Sequence, residues 1–258
     1  MIRKAPRMPA IDGDAVVKEA LRRIALPSRR LFMRRSLTLG GLSLLTGCAM
    51  IDGESAERAL MSISRFNDKV QGWLFDPDLL APTYPESMIT RPFPFNAYYG
   101  EGELRQVDAA RYRLEVSGRV ADKHAWTLAE LHALPQTDQV TRHICVEGWS
   151  AIGKWGGVRF SNFLARIGAD TSAKYVGFKC ADDYYTSIDM PTALHPQTLL
   201  TLSYDGRPLP PRHGFPLKLR IPTKLGYKNP KHVQAIFVTN TYPGGYWEDQ
   251  GYNWFGGS

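Results

Sequence analysis

The sequence predicts an α+β fold, a single mixed domain of many short strands and short helices. Short apolar and β-branched runs separated by turn residues indicate the strands, and brief amphipathic patterns indicate the helices. The helices do not alternate regularly with the strands, which argues against a parallel βαβ fold. The 210 residues after position 48 suffice for one domain with a sizeable core.

The elements follow in order along the chain. Residues 50–75 have a helical pattern, and the proline-rich residues 76–100 are expected to run extended over the surface. Thr127 and Glu130 have the spacing of a capping box that begins a short helix, which Pro135 ends. Another short helix is predicted at residues 161–167, with Gly168 just past its end. The predicted strands are residues 113–120, 140–146, 175–180, 184–188, 199–204, 217–221 and 232–239, with an Asp205-Gly206 turn after the fifth.

The N-terminal residues predict export of the protein. The stretch "SRRLFMR" at residues 28–34 matches a twin-arginine signal, and the apolar run that follows is too short to cross a membrane. The residues "LTGC" at 45–48 resemble a lipobox, in which Cys48 would be lipidated; an ordinary signal peptidase would instead discard Cys48. We therefore expect a signal (1–48), a linker with a proline-rich extended segment (49–90) and a domain (91–258), in the periplasm or anchored to a membrane facing it.

The positive charge of the chain belongs to this signal. The whole sequence has a net charge of +7, and residues 1–48 contain ten Lys/Arg and three Asp/Glu. The remaining residues contain 22 of each, a net charge of zero. The composition therefore gives no reason to expect a nucleic-acid partner.

The stretch "VTRHICVEGWS" places Cys145 at the end of an apolar run and before a polar loop. In an oxidising compartment Cys145 could form a disulfide with Cys180. Alternatively, Cys145 could be a thiolate ligand of a transition metal. The sequence lacks a Cys-x-x-Cys pair and a zinc-like spacing, so a single cysteine ligand implies that an organic chelator such as a dithiolene supplies other donors.

A basic segment points to an anionic guest. From residue 206 to residue 247 the chain contains seven Lys/Arg and no Asp or Glu. Gly and Pro residues are interspersed, so backbone N–H groups and cations can converge on one anion, and phosphate is the usual object of such a site. A solvated basic face is the open alternative. The seven residues are Arg207, Arg212, Lys218, Arg220, Lys224, Lys228 and Lys231.

Three stretches together resemble the sulfite-oxidase-type molybdopterin oxidoreductases. They are "RHICVEGWSAIGKWGGVRFSNFL", "AKYVGFKCADDYYTSIDM" and "HPQTLLTLSYDGRPLPPRHGFPLKLRIPTKLGYKNPKHV". The similarity runs from about residue 96 to residue 238 and is closest to the bacterial branch that contains the catalytic subunit of the periplasmic protein-methionine-sulfoxide reductase. The Cys-Val-Glu-Gly-Trp-Ser and Gly-x-Pro-Leu-Pro-Pro motifs carry it most specifically.

The resemblance implies a molybdenum–molybdopterin cofactor, with one pterin dithiolene and the Cys145 thiolate binding the metal. It implies that the basic segment holds the pterin phosphate and that the proline-rich approach contacts the pterin. Cys180 stands where the related reductase has threonine, and Lys218 stands where it has arginine. The residues that match cofactor contacts are Asn96, Tyr98, Tyr99, Cys180, His213, Lys218 and Lys231.

The resemblance also implies oxygen-atom transfer. Sulfite oxidases place arginines shortly after the cysteine, whereas this sequence has Glu147 and Trp149 there, so we expect a neutral S-oxide or N-oxide substrate rather than sulfite. Trp149 is a candidate for the mouth of the site. Sulfite oxidation, and a protein that binds a pterin or another anion without turnover, remain as alternatives.

The remaining expectations concern partners and a different class of enzyme. The sequence contains no haem-attachment motif, so electrons would come from a membrane haem protein or a soluble cytochrome. The chain stops soon after the core, without room for a dimerisation domain of the sulfite-oxidase kind, and we expect a monomer. A cysteine hydrolase, with His143 or His195 as the base, is the third hypothesis.

Overall fold

Two β-sheets organise the part of the chain that the computed structural model describes, residues 53–258. This confirms the α+β prediction. The twin-arginine pattern and Cys48 lie outside the described residues. The strands are β1 (Glu115–Gly118), β2 (Gln136–Ile144), β3 (Ser150–Arg159), β4 (Tyr175–Cys180), β5 (Tyr185–Asp189), β6 (Leu199–Tyr204), β7 (Arg207–Pro208), β8 (Lys218–Arg220) and β9 (Val233–Thr239). The helices are α1 (Gly53–Leu74), α2 (Leu128–Ala133), α3 (Phe160–Arg166) and α4 (Met190–Leu194).

The two sheets differ in topology. The larger sheet has the order β2-β3-β6-β7, with β8 also paired to β6, and all its pairs are antiparallel. The smaller sheet has the order β1-β9-β4-β5, in which only β1 and β9 are parallel. Residues 57–258 are grouped into one unit by their contacts, and the domain boundary placed at residue 91 stays a prediction. None of the helices in the described part is long and apolar enough to cross a membrane.

Both sheets contribute to one hydrophobic core. Val158 of β3 and Leu200 of β6 come from the larger sheet, while Phe178 of β4 and Ile236 of β9 come from the smaller one. Phe163 of α3 packs into the same cluster, and all five side chains are buried. Burial of this apolar surface is the main force that holds the sheets together.

Several predicted elements are confirmed. Thr127 accepts a hydrogen bond from the Glu130 N–H at 3.2 Å, and the Glu130 carboxylate accepts one from the Thr127 N–H at 2.8 Å, which completes the capping box of α2. The proline-rich segment runs extended beside the larger sheet, where Thr83 bridges to Thr141 and the Thr90 N–H donates to the Ile152 carbonyl oxygen at 2.9 Å. The strands β4, β5, β6 and β9 lie close to their predicted positions.

The predicted bounds of β2 were wrong, and β3 was not predicted. β2 covers Gln136–Ile144 rather than residues 140–146, because the chain turns at Cys145. The sequence analysis did not identify β3, which joins β2 to β6 at the centre of the larger sheet. Its glycines do not favour a strand, but the register shifts between Gly156 and Gly157, and glycine is typical of such a bulge. At Gly157 a Cβ atom would collide with the Leu200 carbonyl oxygen, so only glycine allows this approach of β6.

Gly157→Ala should therefore destabilise the protein. The added methyl group would separate β3 from β6, and we expect the free energy of unfolding to fall by about 1–3 kcal/mol. Gly102→Ala is the matched control, because a Cβ there meets nothing within 4 Å and the change should stay within about 0.5 kcal/mol. Denaturant unfolding of both variants measures the difference; equal stabilities would contradict the role of Gly157.

Candidate active site

The loop after β2 fixes the position of Cys145. β2 ends at Ile144 and β3 begins at Ser150, so the chain reverses direction between them. The Cys145 N–H donates to the Trp149 carbonyl oxygen at 2.9 Å, and the Gly148 N–H donates to the Cys145 carbonyl oxygen at 3.2 Å. Gly148 has a φ of +92°, which glycine adopts without strain. Backbone hydrogen bonds therefore hold the thiol at the end of the sheet.

The Cys145 thiol is buried, and its hydrogen-bond partner is a carboxylate. The sulfur lies 3.7 Å from Oε2 of Glu147, which also accepts the indole N–H of Trp149 at 3.0 Å. Burial raises the pKa of the Cys145 thiol, and the Glu147 charge raises it further. The thiol therefore stays protonated on its own, whereas coordination to a metal would remove the proton.

The second described cysteine, Cys180, is not bonded to Cys145. Both thiols are free, so the disulfide alternative is wrong. Cys180 ends β4 and packs in the hydrophobic core, and burial raises its pKa well above the usual value. Of the two cysteines, only Cys145 lies at the cavity described next.

A cavity opens at the Cys145 thiol. Glu147 and Val146 form the wall beside the sulfur, and aromatic side chains from distant parts of the chain form much of the remainder. Trp149, a candidate for the mouth, does not line the cavity; it packs beside Phe93 and Trp155 and fixes Glu147. The aromatic lining residues are Tyr98, Tyr184, Tyr227, Trp247 and Tyr252.

Three buried cations lie in and behind the cavity wall. Lys231 lines the cavity, and Lys218 and Arg220 belong to β8. Lys218 donates to the Asn229 carbonyl oxygen at 3.0 Å, Lys231 donates to a backbone carbonyl at 3.4 Å, and Arg220 donates to backbone and amide oxygens. Among the described residues none of the three forms an ion pair with a carboxylate. An ionised side chain buried in this way is costly unless an anion compensates its charge.

The pKa values of the basic side chains in this cluster are lowered. Burial lowers the pKa of Lys231 to about 8 and that of Lys218 well below its usual value, and the positive neighbours lower the Lys218 pKa further. Burial and the same lysines lower the pKa of His213 to about 3. Burial also lowers the pKa of His143 well below its usual value. Burial and repulsion between these groups therefore disfavour their charged forms, and a bound anion would offset this effect.

Aromatic rings and unpaired polar atoms surround the cations. Lys218 lies 5.8 Å from the Trp155 ring centroid, and His213 packs against Phe93 with ring centroids 5.3 Å apart. Nδ1 of His143 and Nε1 of Trp155 are buried and have no hydrogen-bond partner in the described part of the chain. Such atoms are rare in folded proteins unless a ligand or a water molecule satisfies them.

The structure brings together many of the residues predicted from the sequence. Asn96, Tyr98, Cys145 and Lys231 line one cavity. His213 and Lys218 lie in the cluster behind it, where both sense the charge of Lys231.

Tyr99 and Cys180 lie beside this cavity rather than on its wall. The Tyr99 hydroxyl donates to Oδ2 of Asp182 at 3.0 Å, and Asp182 does line the cavity. Cys180 packs in the hydrophobic core and does not line the cavity. Whether Tyr99 and Cys180 contact a cofactor stays a prediction.

Sequence reasoning missed several residues of the site. Asp182 accepts hydrogen bonds from Tyr98 and Tyr99 and so fixes the proline-rich segment to the turn between β4 and β5. Trp247 and Tyr252 belong to the C-terminal tail and reach the cavity through long-range contacts. The Asp-Asp pair at positions 182 and 183 is typical of a turn and could have indicated the turn that carries Asp182. No local pattern indicates where the C-terminal tail packs.

The donor set fits a cofactor that brings its own ligands. Within residues 53–258 no group of three or more His, Cys, Asp and Glu side chains could hold a metal ion. A single free thiol at a cavity, with unpaired buried cations nearby, suits a metal whose other donors belong to an anionic chelator. The residues present therefore fit a molybdenum–molybdopterin group.

The same geometry disfavours a cysteine hydrolase. His195 is held by the Leu79 carbonyl oxygen at 3.1 Å and the Gln197 N–H at 3.2 Å, and it does not line the Cys145 cavity. His143 pairs with the Asn96 amide at 3.4 Å, and the thiol itself pairs with Glu147. A nucleophilic cysteine needs an imidazole base in hydrogen-bond contact, and neither histidine provides it.

Comparisons with known proteins agree with this fit. A curated relative from Azospira oryzae, which carries the provisional name protein-methionine-sulfoxide reductase subunit YedZ1, is 73% identical over 262 residues and covers 100% of both chains. The sulfane dehydrogenase SoxCD of Paracoccus pantotrophus has a similar fold, with a TM-score of 0.50 and 20% identity. That similarity covers 54% of this chain and 40% of the SoxCD chain.

A family model described as "Oxidoreductase molybdopterin binding domain" matches residues 101–247, more than half of the chain. The matched segment contains Cys145 and the three buried cations. The protein is an oxidoreductase that belongs to the molybdopterin-binding, sulfite-oxidase-type family.

Proposed function

We propose that this protein reduces S-oxides, with methionine sulfoxide as the substrate class, at a molybdenum–molybdopterin cofactor in the cell envelope. The observation that carries the proposal is one free thiol on the wall of a cavity, backed by buried cations without carboxylate partners. The printed name of the Azospira oryzae relative supports the substrate class.

Each residue of the site has a proposed role. Cys145 supplies the thiolate ligand of the metal, and the buried cations compensate the pterin phosphate. Lys231 lies at the cavity and Lys218 behind it, so both are placed to compensate the charge of one bound anion. The residues proposed to contact the cofactor are Asn96, Tyr98, Tyr99, Cys180, His213, Lys218 and Lys231.

The charges of the cavity support a neutral substrate. When bound, the cofactor supplies the transfer of an oxygen atom together with two electrons. Among the lining side chains, Glu147 and Asp182 are acidic and Lys231 is basic, and Lys231 is assigned to the pterin. A dianion such as sulfite would meet the two carboxylates, whereas a sulfoxide or N-oxide would not be repelled. The aromatic wall offers contacts to the apolar groups beside the sulfur atom.

The proposed place of action is the periplasmic side of a membrane. The twin-arginine pattern supports export of the folded protein with its cofactor, and the lipobox supports lipidation of Cys48. The relative is named as a subunit, which supports an electron donor on another chain, such as a membrane haem protein. Apart from that donor, the chain is proposed to be a monomer.

Cys145→Ser should abolish activity. The hydroxyl is a poor replacement for a thiolate ligand, so reduction of methionine sulfoxide by an artificial electron donor should fall by more than about 100-fold, beyond what loss of outer-shell partners causes. Cys180→Ser replaces the other buried thiol, which is proposed to contact the pterin rather than the metal, so this variant should lose much less molybdenum and activity than Cys145→Ser. Metal analysis and assays of both variants test the roles; full activity in Cys145→Ser, or wild-type protein without molybdenum, would contradict the proposal.

Lys218→Met should separate protein stability from cofactor retention. Removal of a buried, unpaired cation should raise the unfolding free energy of cofactor-free protein by at least about 1 kcal/mol, while the pterin content of protein made with cofactor falls. Lys179→Met is the control, because Lys179 is exposed on β4 of the other sheet. Thermal unfolding and pterin analysis measure both effects. A Lys218→Met variant with normal pterin content would show that this cation does not serve the phosphate.

Glu147→Gln should make the site more tolerant of anions. Removal of one like charge should lower the inhibition constant of sulfite or sulfate by about fivefold, whereas the KM for neutral sulfoxide should change little. Inhibition assays with the artificial donor measure this ratio. Rapid oxidation of sulfite by the wild-type protein would favour a sulfite-oxidising enzyme instead. Wild-type protein that contains the cofactor but turns over neither sulfite nor sulfoxides would favour a binding protein.

A further inference from the structure

Helix α1 has two faces that contact different surroundings. One face packs on the domain: the Asp68 carboxylate accepts the Phe255 N–H at 2.8 Å, and Phe75, just after the helix, packs against the Phe255 ring with centroids 5.6 Å apart. Along this face Met61, Ser64 and Gln71 are partly buried. The side of the helix that packs on the domain is therefore mainly polar, and its apolar side is exposed.

The other face of α1 carries a broad stripe of exposed apolar side chains. Trp73 is 83% exposed and Leu60 is 67% exposed, values that are unusual for large apolar residues. At 3.6 residues per turn the stripe spans an arc of about 140°. The stripe consists of Leu60, Ile63, Phe66, Val70, Trp73 and Leu74.

The exposed charges at the edge of the stripe are basic. Arg65 and Lys69 are exposed and lie on one side of the apolar arc on the helical wheel, about 80° and 40° from its edge. Asp68 is the one acidic side chain described between residues 60 and 74, and it points to the domain, where it accepts the Phe255 N–H. An apolar face with Trp and Phe, bordered by Lys and Arg, is typical of a helix that lies in the plane of a membrane surface.

A coiled-coil interface between two copies of the protein explains the apolar stripe less well. Ile63, Phe66, Val70 and Trp73 have a/d spacing, but they cover only two heptads, fewer than a stable coiled coil sustains. The flanking e and g positions lack an acidic side chain that could pair with Lys69 of another copy. The stripe is also wider than an a/d seam.

We propose that α1 docks this enzyme on an anionic phospholipid surface, with its apolar stripe inserted among the headgroups and Arg65 and Lys69 contacting lipid phosphates. This docking rests on α1 alone and does not require lipid on Cys48. It also sets the orientation of the site: the tail that packs on α1 through Phe255 carries Trp247 and Tyr252, which line the Cys145 cavity.

Vesicle binding tests the contribution of each face. Phe66→Ser should weaken binding of the exported holoenzyme to phosphatidylglycerol-containing vesicles by about tenfold, since an inserted aromatic side chain is lost. Arg65→Gln combined with Lys69→Gln should weaken it by about tenfold or more, and only on anionic vesicles. Met88→Ser and Lys179→Gln, exposed positions outside α1, are the controls. Unchanged binding in both sets of α1 variants, measured on protein that carries no lipid at Cys48, would overturn the proposal.

Insertion depth tests the geometry even if a lipid on Cys48 holds every variant on the vesicle. Nitroxide labels on Phe66→Cys and Trp73→Cys should become shielded from a water-soluble relaxation agent on anionic vesicles, while a label on Met88→Cys should not; a sample without added cysteine gives the background. Labels in α1 that stay water-accessible on the vesicle would overturn the proposal, and so would dipolar coupling between two copies in solution, which would assign the stripe to a dimer. Sulfoxide reduction with a soluble donor should be unchanged in all α1 variants, so failure of docking is distinguishable from failure of the proposed function.

Discussion

The burial of cations without carboxylate partners is the constraint on which the rest of this structure depends. Lys218, Arg220 and Lys231 come from β8 and the loop that follows it, and backbone or amide oxygens, rather than charges, satisfy them. Such an arrangement costs free energy in the isolated protein and becomes favourable when an anion binds. The buried cations therefore favour the binding of an anion, and the proposed function assigns the pterin phosphate to them.

The position of the Cys145 thiol depends on a different constraint, the geometry of one loop. The turn between β2 and β3 holds Cys145 at the end of the sheet, and Glu147 and Trp149 fix the environment of the sulfur. Among residues 53–258 no group of three or more His, Cys, Asp and Glu side chains could hold a metal ion, which supports the proposal that the thiol binds a metal that arrives with its own chelator. The Cys145 loop and the buried cations are therefore separate parts of the structure, and one cavity, lined by both Cys145 and Lys231, connects them.

Local signals predicted much of the fold and part of the site. The capping box at Thr127 depends on residues close in sequence, and it was identified. β3 was missed because its glycines serve a bulge against β6, a contact between strands that the sequence does not reveal. The basic segment was visible as charge, but the sequence does not show that Lys218, Arg220 and Lys231 are buried rather than solvated. Asp182, Trp247 and Tyr252 reach the cavity through long-range packing and could not be predicted.

The central claim is that the Cys145 sulfur and one pterin dithiolene bind the same molybdenum atom. X-ray absorption at the molybdenum edge of the purified holoenzyme counts sulfur neighbours most directly. The account predicts about three, of which one disappears in Cys145→Ser, because a single thiolate joins the two dithiolene sulfurs. The same sulfur count in wild type and Cys145→Ser would contradict it.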